Sequence, residues 1–238
     1  MPALDDLRML SSLGRWPADV EVWLADLSAY VFSTRYLNDD ECARAQRYRN
    51  ARDAQRFAVT RSLLRQLLGK YAGQPAAALR FVYTDRGRPE LPSAYELSFN
   101  VSHSGDYALI VVSRCRAVGI DIERVNPSID WQGMLPLVCT DSESVLLSAA
   151  APEDRTRLFF DIWTGKEALL KTLGHGITEA LQKVTLDFCD PARPLIVVED
   201  PSYDELRGLR LGWLREIPFH SACVAWAQHA GGAAHMFA

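Results

Sequence analysis

Two capped helices, each followed by runs of strand-like residues, constrain this chain more than any other feature. Asn38 opens LNDDE and Thr140 opens TDSE, and in each a glutamate three residues on, Glu41 or Glu143, can reach back to the backbone N–H of the cap. Downstream of each lies a leucine-rich helical stretch. RSLLRQLLG, from Arg61 to Gly69, parallels KEALLKTLG, from Lys166 to Gly174, in its basic first position, two leucines and final glycine. An order of elements that recurs argues for duplication of one unit, a long helix against a small antiparallel sheet. The predicted fold is α/β of the α+β type, pseudo-duplicated into two lobes. Residues 1–115 form the first lobe and 116–238 the second, with a cleft between them.

The strands supply the rest of each unit. VEVWLADL places Val20, Val22 and Leu24 on one face. From Leu79 the segments LRFVY, LSFNVS, YALIVVS and VGIDIERV, separated by the turns DRGRPEL and HSGD, read as an antiparallel meander. One long helix is expected over Asp53 to Tyr71, with Gly73 as its stop. A second runs through RLFFDIWTGKEALLKTLG and ends at Gly174 and Gly176. VTLDF, PLIVVE, LRLGWL and ACVAWA return to strands before a loose, small-residue tail.

Composition narrows the function classes. A chain of 238 residues, 48% hydrophobic, can bury a sizeable core. A formal net charge of −4 argues against generic nucleic-acid binding, so an anionic ligand must be met by local basic clusters. The five cysteines are scattered, with no CxxC pair to suggest zinc or dithiol chemistry. No apolar run suits a bilayer span and the amino terminus has no signal-peptide pattern, so a cytoplasmic location and no membrane partner are expected.

Chemistry gathers at VGIDIERV and WTGKEALLK. In the first, the strand period of two sends Val118, Ile120 and Ile122 to one face and Gly119, Asp121 and Glu123 to the other. Two carboxylates about 7 Å apart at their α-carbons can share one hard divalent cation, although solvated acids on an outer sheet face are the common outcome of such a pattern. In the second, Trp163, Glu167 and Lys171 stack on one helical face, with Lys166 one position to the side. Glu and Lys at i and i+4 are also an ordinary helix-stabilising pair, but Trp163 implies that this stripe is partly buried. GKE is not a phosphate-binding loop, since Phe160 and Glu167 stand where that motif needs glycine and Ser or Thr.

At these residues the sequence resembles the phosphopantetheinyl transferases, in the longer two-lobed class that includes the surfactin-synthetase-activating enzyme. VGIDIE and WTGKEALLK carry the resemblance, supported upstream by FNVSHSG and GRP, over roughly Asn38 to Leu186. It implies a pseudo-duplicated fold acting as a monomer. It also implies Mg²⁺-dependent transfer of the 4′-phosphopantetheine arm of coenzyme A to a serine of an acyl or peptidyl carrier protein, releasing adenosine 3′,5′-bisphosphate. Asp121, Glu123 and Glu167 fall on the family's metal positions, where Mn²⁺ could replace Mg²⁺. Lys166 and Lys171 fall where charge on the diphosphate is offset, and Glu167 where the serine proton is accepted. Arg44, Arg56, Arg88, Ser102 and His103 match positions that grip coenzyme A. Arg88 stands where lysine is common, and Glu41 where some members carry lysine. Ser102, His103 and Asp106 are neighbours on one turn and make no hydrolase triad. Glu143 matches a family glutamate near the site but already has a capping role, and the remaining arginines of RAQRYRNARDAQRF suit an acidic helix of the carrier. Two other functions use the same residues: a Mg²⁺-dependent phosphohydrolase of nucleotide diphosphates, and a non-catalytic module that binds coenzyme A or a carrier.

Overall fold

In the computed structural model, the described residues are 7–174, 181–190 and 194–228. The expectations for Gly176 and the tail fall outside them.

The first lobe is built on a four-stranded antiparallel sheet of order β1-β2-β6-β5, from β1 (Arg8–Leu10), β2 (Glu21–Asp26), β5 (Ser98–Ser104) and β6 (Tyr107–Ser113). Helix α1 (Asp39–Arg47) and the long α2 (Ala51–Ala72) intervene, followed by the short pair β3 (Val82–Tyr83) and β4 (Pro89–Glu90). The second lobe has a three-stranded antiparallel sheet, order β10-β11-β7, from β7 (Val118–Arg124), β10 (Leu209–Trp213) and β11 (His220–Ala227). Its helices are α3 (Trp131–Val138), α4 (Asp141–Ala149) and the long α5 (Pro152–Leu173), and a hairpin of β8 (Val184–Asp187) and β9 (Leu195–Val198) completes it. Among the described residues no helix is long and apolar enough to cross a membrane.

Side-chain parity dictates four layers: helix, sheet, sheet, helix. On β6, Ala108, Ile110 and Val112 meet Val59, Leu63 and Leu67 of α2, while Leu109 and Val111 turn to the other lobe. There they join Val118, Ile120 and Ile122 of β7 in a core shared by both sheets, and α5 covers the far face of the second sheet. A strand buried on both faces needs apolar residues at every position, hence the unbroken run in YALIVVS.

Duplication is visible in the caps. Both capping boxes form, and both glutamates are buried and ion-paired to the long helix of their own lobe. Glu41 receives Arg65 Nε at 2.7 Å and lies 3.6 Å from Arg61, while Glu143 receives Lys166 Nζ at 2.5 Å. Arg61 and Lys166 are the matching first positions of the repeat. The final glycines do not match: Gly174 caps α5, whereas Gly69 is inside α2 and Gly73 caps it.

The meander is corrected in two places. LRFVY contributes only the exposed β3, and β7 leaves the first sheet to pair with β11. The helix expected through RLFFDIWTGKEALLKTLG begins separately at Pro152, because the capped TDSE helix stops at Ala149 and proline is well suited to a helix's first turn.

Candidate active site

Strand β7 pairs with β11 on one edge, and its other edge runs beside β5 of the first lobe. Backbone N–H groups on that open edge need partners, and β5 supplies side chains. Ser98 Oγ accepts from Val118 N–H at 3.2 Å, Asn100 Oδ1 from Ile120 N–H at 3.2 Å, and Ser104 Oγ from Arg124 N–H at 3.0 Å. The same row donates to the acids: Ser102 Oγ to Asp121 Oδ1 at 2.8 Å, and Ser104 Oγ to Glu123 Oε2 at 2.9 Å. Alternation in SFNVSHS thus aims every second, polar residue at the seam between lobes.

The other wall is α5, drawn close because residue 119 is glycine. A Cβ there would lie 2.2 Å from the Ala168 carbonyl oxygen and 2.5 Å from Thr172 Oγ1. Through this approach Lys171 Nζ reaches Asp121 Oδ1 at 2.5 Å, Glu167 Oε2 at 3.3 Å and Ser102 Oγ at 3.3 Å. Trp163 Nε1 donates to Glu167 Oε1 at 2.5 Å and fixes its orientation.

Charge is concentrated here. Burial, then repulsion from Asp121 and Glu167, pushes the Glu123 carboxyl up to about 7, with Ser104 opposing. Burial and Asp121 likewise raise Glu167, against the pull of Lys171. Burial works against the Lys171 ammonium, but Asp121 and Glu167 outweigh it and hold its pKa at about 12. Asp121 is fully buried and its Oδ2 has no hydrogen-bond partner.

An open cleft of about 360 Å³ adjoins these groups, lined by Arg44, Phe57, Arg61, Ser102, His103, Asp121, Glu123 and Lys171 among others. Arg44 lies over the Phe57 ring at 5.0 Å. His103 sits at the cleft, its pKa lowered by lost hydration and by the nearby Arg56 and Lys171 charges. Arg56 does not line the cleft; it donates to the Gly105 carbonyl at 2.9 Å and to Asp53 at 2.8 Å.

Two expected site residues stand elsewhere. Lys166 is fully buried on another side of α5, where its ammonium donates to Glu143 and to the Val138 and Leu181 carbonyls, so it does not face the cleft. Arg88 turns its guanidinium to the end of α5, donating to the carbonyls of Lys171 at 2.5 Å and Thr172 at 2.9 Å and to Phe99 at 3.2 Å. That position suits a cation at a helix C-terminus and takes the side chain away from a phosphate. Arg61 was missing from the expected set. It lines the cleft almost entirely buried, with Nη1 unpaired and its pKa lowered by burial against the pull of Glu41. A basic residue inside a leucine-rich stretch was its signal in the sequence.

Among the described residues no group of three or more His, Cys, Asp or Glu side chains converges closely enough to hold a metal ion. The donor chemistry nevertheless fits one: three carboxylates from two elements, two with raised pKa, and a buried Asp121 oxygen lacking a partner. The Lys171 ammonium supplies the positive charge between Asp121 and Glu167.

Residues 117–214 match the 4′-phosphopantetheinyl transferase superfamily, and residues 21–115 match the 4′-phosphopantetheinyl transferase N-terminal family. The chain is 35% identical to the 4′-phosphopantetheinyl transferase HetI of Nostoc sp. over 81% of its own length and 82% of that protein. It is 30% identical to the 4′-phosphopantetheinyl transferase psf-1 of Bacillus pumilus, over 69% and 70% of the two chains. With the Bacillus subtilis 4′-phosphopantetheinyl transferase it shares 28% identity over 66% and 69%. Two matched halves meeting at the seam that carries the acids mean that this chain belongs to the 4′-phosphopantetheinyl transferase superfamily.

Proposed function

We propose that this protein transfers the 4′-phosphopantetheine arm of coenzyme A to a serine hydroxyl of an acyl or peptidyl carrier protein, with Mg²⁺ as cofactor. Family membership supports the reaction, and the grouping of Asp121, Glu123, Glu167 and Lys171 beside a cleft with Arg44, Arg61 and His103 supports the site.

Asp121, Glu123 and Glu167 would hold the ion, which when bound makes the β-phosphorus more electrophilic and the departing adenosine 3′,5′-bisphosphate a better leaving group. Lys171 neutralises charge that develops on the diphosphate oxygens. Arg44, Arg61 and His103 hold the nucleotide phosphates along the cleft, and Ser102 keeps Asp121 aligned. Glu167, held by Trp163, accepts the serine proton through a water as the oxygen attacks phosphorus. The same reading divides the chain into lobes at 115 and 116 and has one chain act alone in the cytoplasm.

Incubation with coenzyme A, Mg²⁺ and an apo carrier, followed by intact mass spectrometry, tests it. A mass gain on the carrier equal to the arm is expected. Hydrolysis of coenzyme A without a carrier, or no gain across fatty-acid, polyketide and peptide carriers, would remove the transferase reading. Asp121→Ala and Glu167→Ala are each expected to abolish transfer while the protein stays folded.

A further inference from the structure

Lys171 stands in the last turn of α5, where helix carbonyls lack intrahelical partners and the backbone is prone to fray. Its ammonium must nevertheless stay 2.5 Å from Asp121 and 3.3 Å from Glu167. Gly174 supplies one restraint by returning its N–H to the Leu170 and Lys171 carbonyls. The second comes from the other lobe. Arg88 gives Nη1 to the carbonyls of Lys171 at 2.5 Å and Thr172 at 2.9 Å, and Nη2 to the carbonyl of Phe99 at 3.2 Å. One planar fork thus ties the main chain of Lys171 to β5, the strand whose Ser102 the Lys171 ammonium also reaches.

The turn carrying Arg88 is closed around it. Arg88 N–H donates to Thr84 Oγ1 at 3.1 Å, its carbonyl accepts from Thr84 N–H at 3.0 Å, and Gly87 takes φ of +78°. Gly87 and Pro89 line the cleft, whereas Arg88 between them lines a neighbouring cavity with Glu90, whose carboxylate is 3.8 Å from its Nε. The Arg88 side chain is only 10% exposed. Its charge is directed at the end of the helix instead of at a ligand in the cleft.

We propose that Arg88 is a positioning residue for the transfer step: from the first lobe it holds the last turn of α5 so that Lys171 meets the diphosphate where Asp121 and Glu167 stand. This rests on the transferase reading given above. A lysine here would reach these carbonyls only as a point donor, without the fork that spans strand and helix.

The test compares Arg88→Met and Arg88→Lys, each alone and combined with Lys171→Met, by steady-state transfer to an apo carrier per folded molecule and by titration with coenzyme A in the absence of carrier. In the otherwise wild-type chain, Arg88→Met should lower kcat roughly tenfold or more, the scale of a small misplacement of a reacting group, and Arg88→Lys should recover only part of it. Kd for coenzyme A should stay within about threefold. With Lys171→Met already present, either change at Arg88 should cost less than about twofold in kcat, because the group it positions is gone. A purely structural role would instead show as lost folded protein with a rate loss equal in both backgrounds. Such equal losses, an unchanged kcat, or a Kd weakened tenfold or more in both backgrounds overturns the positioning role while leaving the transferase reading intact. Should Arg88→Met fail to fold, Arg88→Lys carries the same comparison. A wild-type chain that loads no carrier sinks both.

Discussion

Glu123 and Lys171 show how single residues depend on the charge they face. A carboxyl whose pKa is raised in the folded chain binds its proton more tightly there than when unfolded. Such a group contributes stability below its ordinary value of 4.5 and loses that contribution as pH rises to about 7. In chelator, wild-type stability is therefore expected to fall between about pH 4.5 and 7 more steeply than that of Glu123→Gln, measured by urea denaturation at each pH. Lys171→Met should lower kcat about a hundredfold or more, the scale of losing one group that stabilises transition-state charge. Single-turnover transfer checks it. At this scale the sequence was informative about type and incomplete about direction. Asp121, Glu123 and Lys171 could be aligned by strand and helix periods alone. The fate of Lys166 and Arg88 depended on neighbours distant in the chain: Glu143 drew one away, and the carbonyl end of α5 drew the other.

At the scale of elements, two features govern where the acids stand. Gly119 lets α5 touch β7, and Gly119→Ala should cost about 3 kcal/mol, near the upper end of overpacking penalties. Denaturant melts read that cost, and the displaced Lys171 should lower activity in the folded fraction. Asn100→Ala removes the acceptor for Ile120 N–H and leaves a buried donor unpaired, a loss of about 2 kcal/mol. Both caps and the long helices were legible because capping boxes and leucine periodicity are local signals. The departure of β7 from the meander was hidden, since partner choice among apolar strands is settled by which faces need covering.

The whole molecule is two copies of one plan fused through a common core. Because Leu109 and Val111 share that core with Ile120 and Val224, the lobes are expected to unfold in one transition, and coincident fluorescence and circular dichroism curves check this. Lys166→Met leaves Glu143 buried without its cation and should cost about 3 to 5 kcal/mol. Molecules that remain folded should keep the wild-type KM for coenzyme A, since the lysine does not face the cleft. Duplication itself was readable from the repeated order of elements, whereas the four-layer stacking required knowing that β6 is covered on both sides.

A main-chain ladder survives nearly any change of side chain, but the joint between these sheets is written in three hydroxyls and one amide. Ser98 and Asn100 serve only the main chain of β7, but Ser102 and Ser104 are matched to Asp121 and Glu123 themselves, so a change at either hydroxyl in one half of the chain is felt directly by an acid in the other.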